Sequence, residues 1–309
     1  MRIVALGLAC GAALCLPLSS WAANYTSKSV VGVGANWNGN YWSALPDGTG
    51  TLTGPPTAGN TYELIPNGSS ITSGNDTRTR NPASPGVQTF PGDSLMLDTN
   101  SDLRLKGSGS ISTFPGPGGG QPGLILNGGG INVGDDGKFW IDGIIEVRQQ
   151  SYIFPGTSGG TRDNAGVNIN GQLIGTNNLA LINGSLVTAI DISGAANTFS
   201  GQWIVKSGYL LSSVNGALGT NSITIDPNWS VPTNNGAWVL GSGYNKAVVS
   251  IGYDLNSAGT LTIANGGQIV LYKNLCFSAV TINGTALSAG SHSYAELAAA
   301  YPNNILGNG

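Results

Sequence analysis

The sequence predicts an all-β solenoid, a chain that turns a corner every few residues and stacks coil upon coil. Three observations predict it. First, residues 197–225 read NTFSGQWIVKSGYLLSSVNGALGTNSITI. Its β-rich runs (202–206, 209–212 and 222–225) are separated by turns on Gly201, Gly208, Gly216 and Gly219, and runs this short fit one coil of a solenoid better than crossings of a broad sheet. Second, glycine supplies 49 of 309 residues while charged residues are only 9%, far below the roughly 25% of ordinary globular chains. Val, Ile, Leu, Trp and Tyr nevertheless recur steadily, unlike disordered segments, and glycine takes φ > 0 at tight corners without steric cost. Third, both ends of the patterned region carry features that read as caps, which an open solenoid needs to cover its terminal strands and core.

The N-terminal residues read as a secretory signal. Arg2 supplies the positive charge, residues 3–18 are apolar or small, and Ser20-Trp21-Ala22 presents small residues at the peptidase positions, so cleavage is placed after Ala22. The stretch is too short and too rich in Ala and Gly for a membrane span. Removing it leaves Cys276 as the only cysteine, so no internal disulfide is expected. Cys276 lies between Leu275 and Phe277 and is expected to be a small buried hydrophobe.

Residues 23–90 form a capping region with Trp37, Tyr41, Trp42 and several Pro- and Gly-containing turns. Residues 91–285 form the solenoid. Strands are expected at 94–97, 103–106, 124–126, 131–133, 138–142, 144–148, 167–173, 179–182 and 186–190. They continue beyond the opening segment at 237–240, 248–251, 260–263, 268–272 and 279–282. Nearly every gap holds Gly, Asn or Asp, which tolerate left-handed backbone. Asn-Gly pairs at 127, 170, 183, 215, 265 and 283 suit either hairpin turns or solenoid corners. Residues 114–123, 152–164 and 226–235 read as loops leaving the coil, where a binding face is first sought. Residues 286–309 form the C-terminal cap: Ser293 and Glu296 have capping-box spacing, a short helix follows, and Pro302 ends it.

The N-T-F-S-G start at residues 197–201 and the A-L-G-T turn at residues 217–220 resemble the passenger-associated repeat of bacterial autotransporter-type proteins. That resemblance implies a right-handed parallel β-helix and tips the Asn-Gly pairs toward corners. The tail, TINGTALSAGSHSYAEL, resembles that of secreted β-strand-repeat proteins of planctomycete- and verrucomicrobium-like bacteria, in which a last strand follows; here it is expected to begin at Gly307.

Catalytic groups are sparse. The single histidine, His292, sits in a bend between two serines, away from any carboxylate before Glu296, and a triad needs its base held between carboxylate and nucleophile. The pair Asp135-Asp136 is flanked by glycines and is similar to one element of polygalacturonase-type hydrolases, but that family's other elements are missing; the glycines mark an ordinary turn. Arg78 and Arg80 have only Asp76 nearby in sequence. Lys138, Glu146, Arg148, Arg162 and Asp163 are able to meet on stacked coils. Asp93, Asp98 and Asp102, like Asp135, Asp136 and Asp142, match no calcium loop and read as solvated turn residues. No metal and no cofactor is expected. Trp37, Trp42, Trp229 and Trp238 are the residues expected to stack on sugars. A formal net charge of -3 with no basic patch argues against nucleic acid.

The expected function is therefore a non-catalytic, secreted or surface-attached β-helix passenger-like protein, an adhesin, stalk or extracellular matrix component. Its expected partner is a cell-surface or matrix polysaccharide. The alternatives are a β-helix polysaccharide lyase or glycosidase, and a carbohydrate-binding module.

Overall fold

The computed structural model describes residues 25–27, 36–48, 51–65, 76–79, 86–107, 109–133, 137–155, 166–182, 189–230 and 246–308. Within them the chain is nearly all β, with one short helix, Tyr294–Ala300. The expected signal segment, the Asp135-Asp136 pair, Arg80, Arg162, Asp163 and Trp238 lie outside the described residues.

Most strands belong to a large parallel sheet that divides into three stacks, visited in rotation. The first stack contains Thr61–Leu64, Ser94–Asp98, Leu124–Asn127, the second half of Lys138–Gln149, and Gln172–Gly175. The second runs from Asp76–Arg78 through Asp102–Leu105, Gly130–Val133, Ser151–Pro155, Leu179–Ile182 and the first half of Trp203–Ser212. It ends on Ile223–Ile225, Thr260–Ile263 and Ala279–Ile282. The third begins with Val87–Thr89, Ile111–Phe114, the first half of Lys138–Gln149 and Gly166–Ile169. It continues through Ala189–Ile192, the second half of Trp203–Ser212, Ala247–Ile251, Gly267–Leu271 and Ile305–Gly307. This rotation through parallel stacks is compatible with a solenoid, and the parallel pairing starts at Tyr25–Ser27, which pairs with Thr61–Leu64, rather than near residue 91.

Alternation within each strand builds the core. In the second stack Leu103, Ile131, Ile153, Leu181 and Val205 are paired in register and fully buried; in the third, Val167, Ile190 and Leu210 do the same. Each such side chain contributes about 1.5–3 kcal/mol on burial.

Corners are made by glycine and asparagine. Expected strands 138–142 and 144–148 are one strand that bends at Gly143, where φ is +109° and a Cβ would stand 2.0 Å from the Phe114 carbonyl oxygen. Only glycine lets the third stack run into the first there. Expected strand 167–173 is instead two strands broken at Asn170-Gly171. Asparagine supplies bonds the corners lose. Asn197 Oδ1 accepts from the Leu173 backbone N–H at 2.6 Å, and its Nδ2 donates to the Ala217 carbonyl at 2.6 Å. Thr198 N–H donates to Leu173 O and Ser200 N–H to Gly175 O, so the N-T-F-S-G segment continues the first stack without regular strand geometry.

Three expectations are corrected. Residues 152–154 are not loop: they lie in Ser151–Pro155, with Tyr152 and Phe154 buried. The last strand does not begin at Gly307: Ile305–Gly307 already pairs with Gly267–Leu271. Cys276 is exposed, because in Leu275–Cys276 the alternation turns Leu275 toward the core and Cys276 outward. The Asn-Gly ambiguity resolves both ways. Asn283-Gly284, with φ of 50° and 79°, makes a hairpin between Ala279–Ile282 and the antiparallel Thr285–Ala286, whereas Asn170-Gly171 turns between parallel stacks. The capping box is present: Ser293 Oγ accepts from Glu296 N–H, and Glu296 Oε2 accepts from Ser293 N–H.

Among the described residues no helix is long and apolar enough to cross a membrane.

Candidate functional site

The expected sugar-stacking tryptophans divide by location. Trp37 and Trp42 are each 1% exposed. Trp42 Nε1 donates to the Trp37 carbonyl at 3.2 Å. Trp37 meets Phe90 and Phe114 edge to face, and Trp42 meets Tyr62 in the same way. Both rings fill the first coils and have no free face for a ligand. The two indoles sit close in sequence because they plug one core, a role their spacing does not distinguish from a surface platform.

Trp229 is half-buried. It packs against Tyr152, Phe154, Ala180, Ile182 and Ile204, an apolar cluster on the outer face of the second stack. The Lys206 ammonium fixes this turn by donating to the Pro227 and Trp229 carbonyls. Burial lowers the Lys206 pKa, opposed by the Asp226 carboxylate.

The surface tryptophan missed by the sequence reading is Trp140. It is half-buried, unlike the fully buried Trp203. It points outward because its strand neighbours Phe139 and Ile141 point into the core. Register places Ile111, Trp140, Asn168, Asp191 and Leu211 in one column along the outer face of the third stack, at about 4.8 Å per step. Beside the indole is a polar network. Asn168 Nδ2 donates to Asp191 Oδ2 at 3.4 Å, and Ser193 Oγ bonds Asn168 Oδ1 at 2.5 Å and Asn170 Oδ1 at 2.7 Å. Burial raises the Asp191 pKa and the Lys138 charge opposes it. Asp191 Oδ1 is enclosed without a hydrogen-bond partner. The column thus sets an apolar ring next to amide, hydroxyl and carboxylate groups. The alternation Lys-Phe-Trp-Ile-Asp over residues 138–142 was the available signal.

The outer face of the first stack carries a second polar group. Glu63 shares a side-chain hydrogen bond with Asp98, and burial first, then the Asp98 hydrogen bond and charge, push its pKa up to about 7. Asp98 Oδ1 also accepts from Asn127 Nδ2 at 2.7 Å. Two coils on, Arg148 pairs with Glu146 at 2.6 Å and reaches Met96 Sδ at 3.7 Å. Of the five residues expected to meet, Glu146 and Arg148 do; Lys138 lies on the third stack near Asp191.

The acidic triplet 93, 98 and 102 disperses, and Asp102 is not a solvated turn residue: it is buried at the start of the strand Asp102–Leu105. Asp93 caps Gly59 N–H at 2.7 Å, Asp98 joins Glu63 and Asn127, and Asp102 Oδ2 accepts from Asn132 at 2.7 Å. Among the described residues no three His, Cys, Asp or Glu side chains are grouped to hold a metal ion. His292 is half-buried and its Nε2 contacts the Ser288 carbonyl at 2.9 Å.

No family model matches the chain, and neither the curated proteins nor the solved structures contain a match to it.

Proposed function

We propose that the chain is a non-catalytic, secreted or surface-attached protein of the autotransporter-repeat kind, an adhesin, stalk or matrix component folded as a right-handed parallel β-helix. It contacts polysaccharide along the flank that carries Trp140. The observation that carries the glycan reading is the single column Trp140–Asn168–Asp191 with Ser193 and Lys138 at its sides. Register aligns these groups in one column and hydrogen bonds already tie Asn168, Asp191 and Ser193 together, so little side-chain entropy is lost when an extended glycan lies on them. The repeat resemblance fits the work of its residues: Asn197 bridges coils, Phe199 packs on Trp203 at 4.9 Å, and Ala217 and Leu218 are buried.

The test is retention of the mature protein on a panel of insoluble polysaccharides. Trp140→Ala is expected to weaken retention about tenfold, the upper range for one aromatic contact. Binding to none of the glycans, or binding indifferent to Trp140, overturns the glycan reading.

One observation favours the alternative of a β-helix lyase or glycosidase: a carboxyl with a pKa of about 7 at Glu63. The chemistry weighs against hydrolysis there. Glycosidases separate acid and base by about 5–9.5 Å so that a sugar or water fits between them, whereas Glu63 and Asp98 bond each other directly. Incubation with pectin, alginate and glycosaminoglycans, with and without calcium, decides the matter. Unsaturated or reducing-end products that disappear in Glu63→Gln would establish the enzyme.

A further inference from the structure

The last coil is not filled. Between the strands Thr260–Ile263, Gly267–Leu271 and Ala279–Ile282 and the helix Tyr294–Ala300 lies a cavity of about 920 Å3. Its size falls within the roughly 300–1,000 Å3 of small-molecule sites. The floor is the end of the main core: Leu261, Ile263, Ile269 and Ile282 are buried at its base. The walls are Phe277, Leu287 and Leu297, which pack against that core while remaining only half-buried. A polar ligand group sunk to this depth meets aliphatic side chains and loses its hydrogen bonds.

The polar groups gather at the rim. Tyr294 hydroxyl is engaged by the Gly307 carbonyl at 2.7 Å, and Asp254 Oδ1 accepts from Asn274 N–H at 2.9 Å. Lys273 and His292 line the same opening. Lys273 is exposed and forms no ion pair among the described residues, whereas the His292 Nε2–H is engaged by the Ser288 carbonyl.

We propose that this cavity binds an aliphatic carboxylate, a straight-chain fatty acid whose tail lies on the Leu261–Ile282 floor and whose head meets Lys273. The site is remote from the Trp140 flank and does not depend on the glycan reading. The Lys273 ammonium, with Asp254 Oδ1 already engaged by the Asn274 N–H, selects the acid over the corresponding alcohol, and the apolar depth selects a chain over a small anion.

Calorimetric titration of the mature protein with dodecanoate, and separately with dodecanol and acetate, tests it. Saturable one-to-one binding of dodecanoate is expected, with none of acetate. Lys273→Ala should weaken dodecanoate about tenfold, the size of one charged hydrogen bond, and leave dodecanol unchanged. Leu287→Trp, which fills the cavity, should abolish both; Val280→Phe serves the same purpose if that variant fails to fold. The proposal is overturned by absence of dodecanoate binding to the folded protein, or by binding that survives cavity filling. Affinity for the acid no greater than for the alcohol and insensitive to Lys273 overturns it too. So does concentration-dependent dimerisation lost in Leu287→Trp, which would make the cavity an interface between copies.

Discussion

The two ends of the stacked core meet the same physical problem in different ways. A pile of parallel coils exposes its aliphatic interior at both ends. At the N-terminal end Trp37, Trp42, Tyr62, Phe90 and Phe114 interlock edge to face, and all are 3% exposed or less. At the C-terminal end a hairpin and a seven-residue helix with no fully buried residue lean over the last rung, and aliphatic side chains stay half-exposed around a cavity. Large rings close a cross-section; short aliphatics and a helix of two turns leave room. The first end is plugged by aromatic rings, and the second keeps a cavity.

Removing the plug is the strongest way to break this comparison. Trp42→Ala takes away a ring that is 1% exposed and donates to the Trp37 carbonyl. A loss of about 3–5 kcal/mol is expected, the usual range for a buried aromatic truncated to alanine. Denaturant unfolding measures it. A loss below about 1 kcal/mol, or one matched by Leu297→Ala at the other end, would show that the N-terminal aromatics are not a tighter closure than the helix.

The same contrast explains what was legible in the sequence. Alternation is a local property, so Leu179–Ile182 and Thr260–Ile263 were found with their observed bounds, as was the capping box at Ser293 and Glu296. Corners were harder. Gly143 and Gly208 bend the chain inside continuous strands, and glycine in a sequence marks a turn without saying whether pairing survives it. The site residues were hardest, because they depend on which coil lies above which. Trp37 and Trp42 looked like a surface cluster but are buried together, whereas Trp140 gains its polar neighbours only through register with Asn168 and Asp191. Glu63 and Asp98 are likewise far apart in sequence and adjacent only once Thr61–Leu64 stacks on Ser94–Asp98.

The ends also differ in their response to pH, and Glu63 sharpens the comparison at the first coil. Its folded pKa is raised from the ordinary 4.5 to about 7, so the folded state holds a proton that the unfolded chain has released. That contribution is complete below about pH 4.5 and is lost as pH rises through 7. Glu63→Gln keeps a donor toward Asp98 without the charge. It should flatten this decline in thermal stability between pH 4.5 and 7 while leaving Asp98 bonded to Asn127. A variant whose melting temperature tracks the parent's at every pH would remove Glu63 from the account.

At the C-terminal cap the sign reverses and the effect is smallest. Backbone and side-chain hydrogen bonds from Ser293 hold the Glu296 carboxylate below its ordinary pKa, so its contribution is present above about pH 4.5 and is lost as pH falls through the lower folded value. Ser293→Ala removes the Oγ that accepts from Glu296 N–H, and the expected cost is about 1 kcal/mol, typical of a lost N-cap. Because Tyr294 and Leu297 line the cavity, a frayed helix should also loosen its wall. Amide exchange over residues 294–300 is expected to accelerate in this variant while the strands near Trp42 exchange as before. If both ends accelerate together, the coils unfold as one unit and the two closures are not independent.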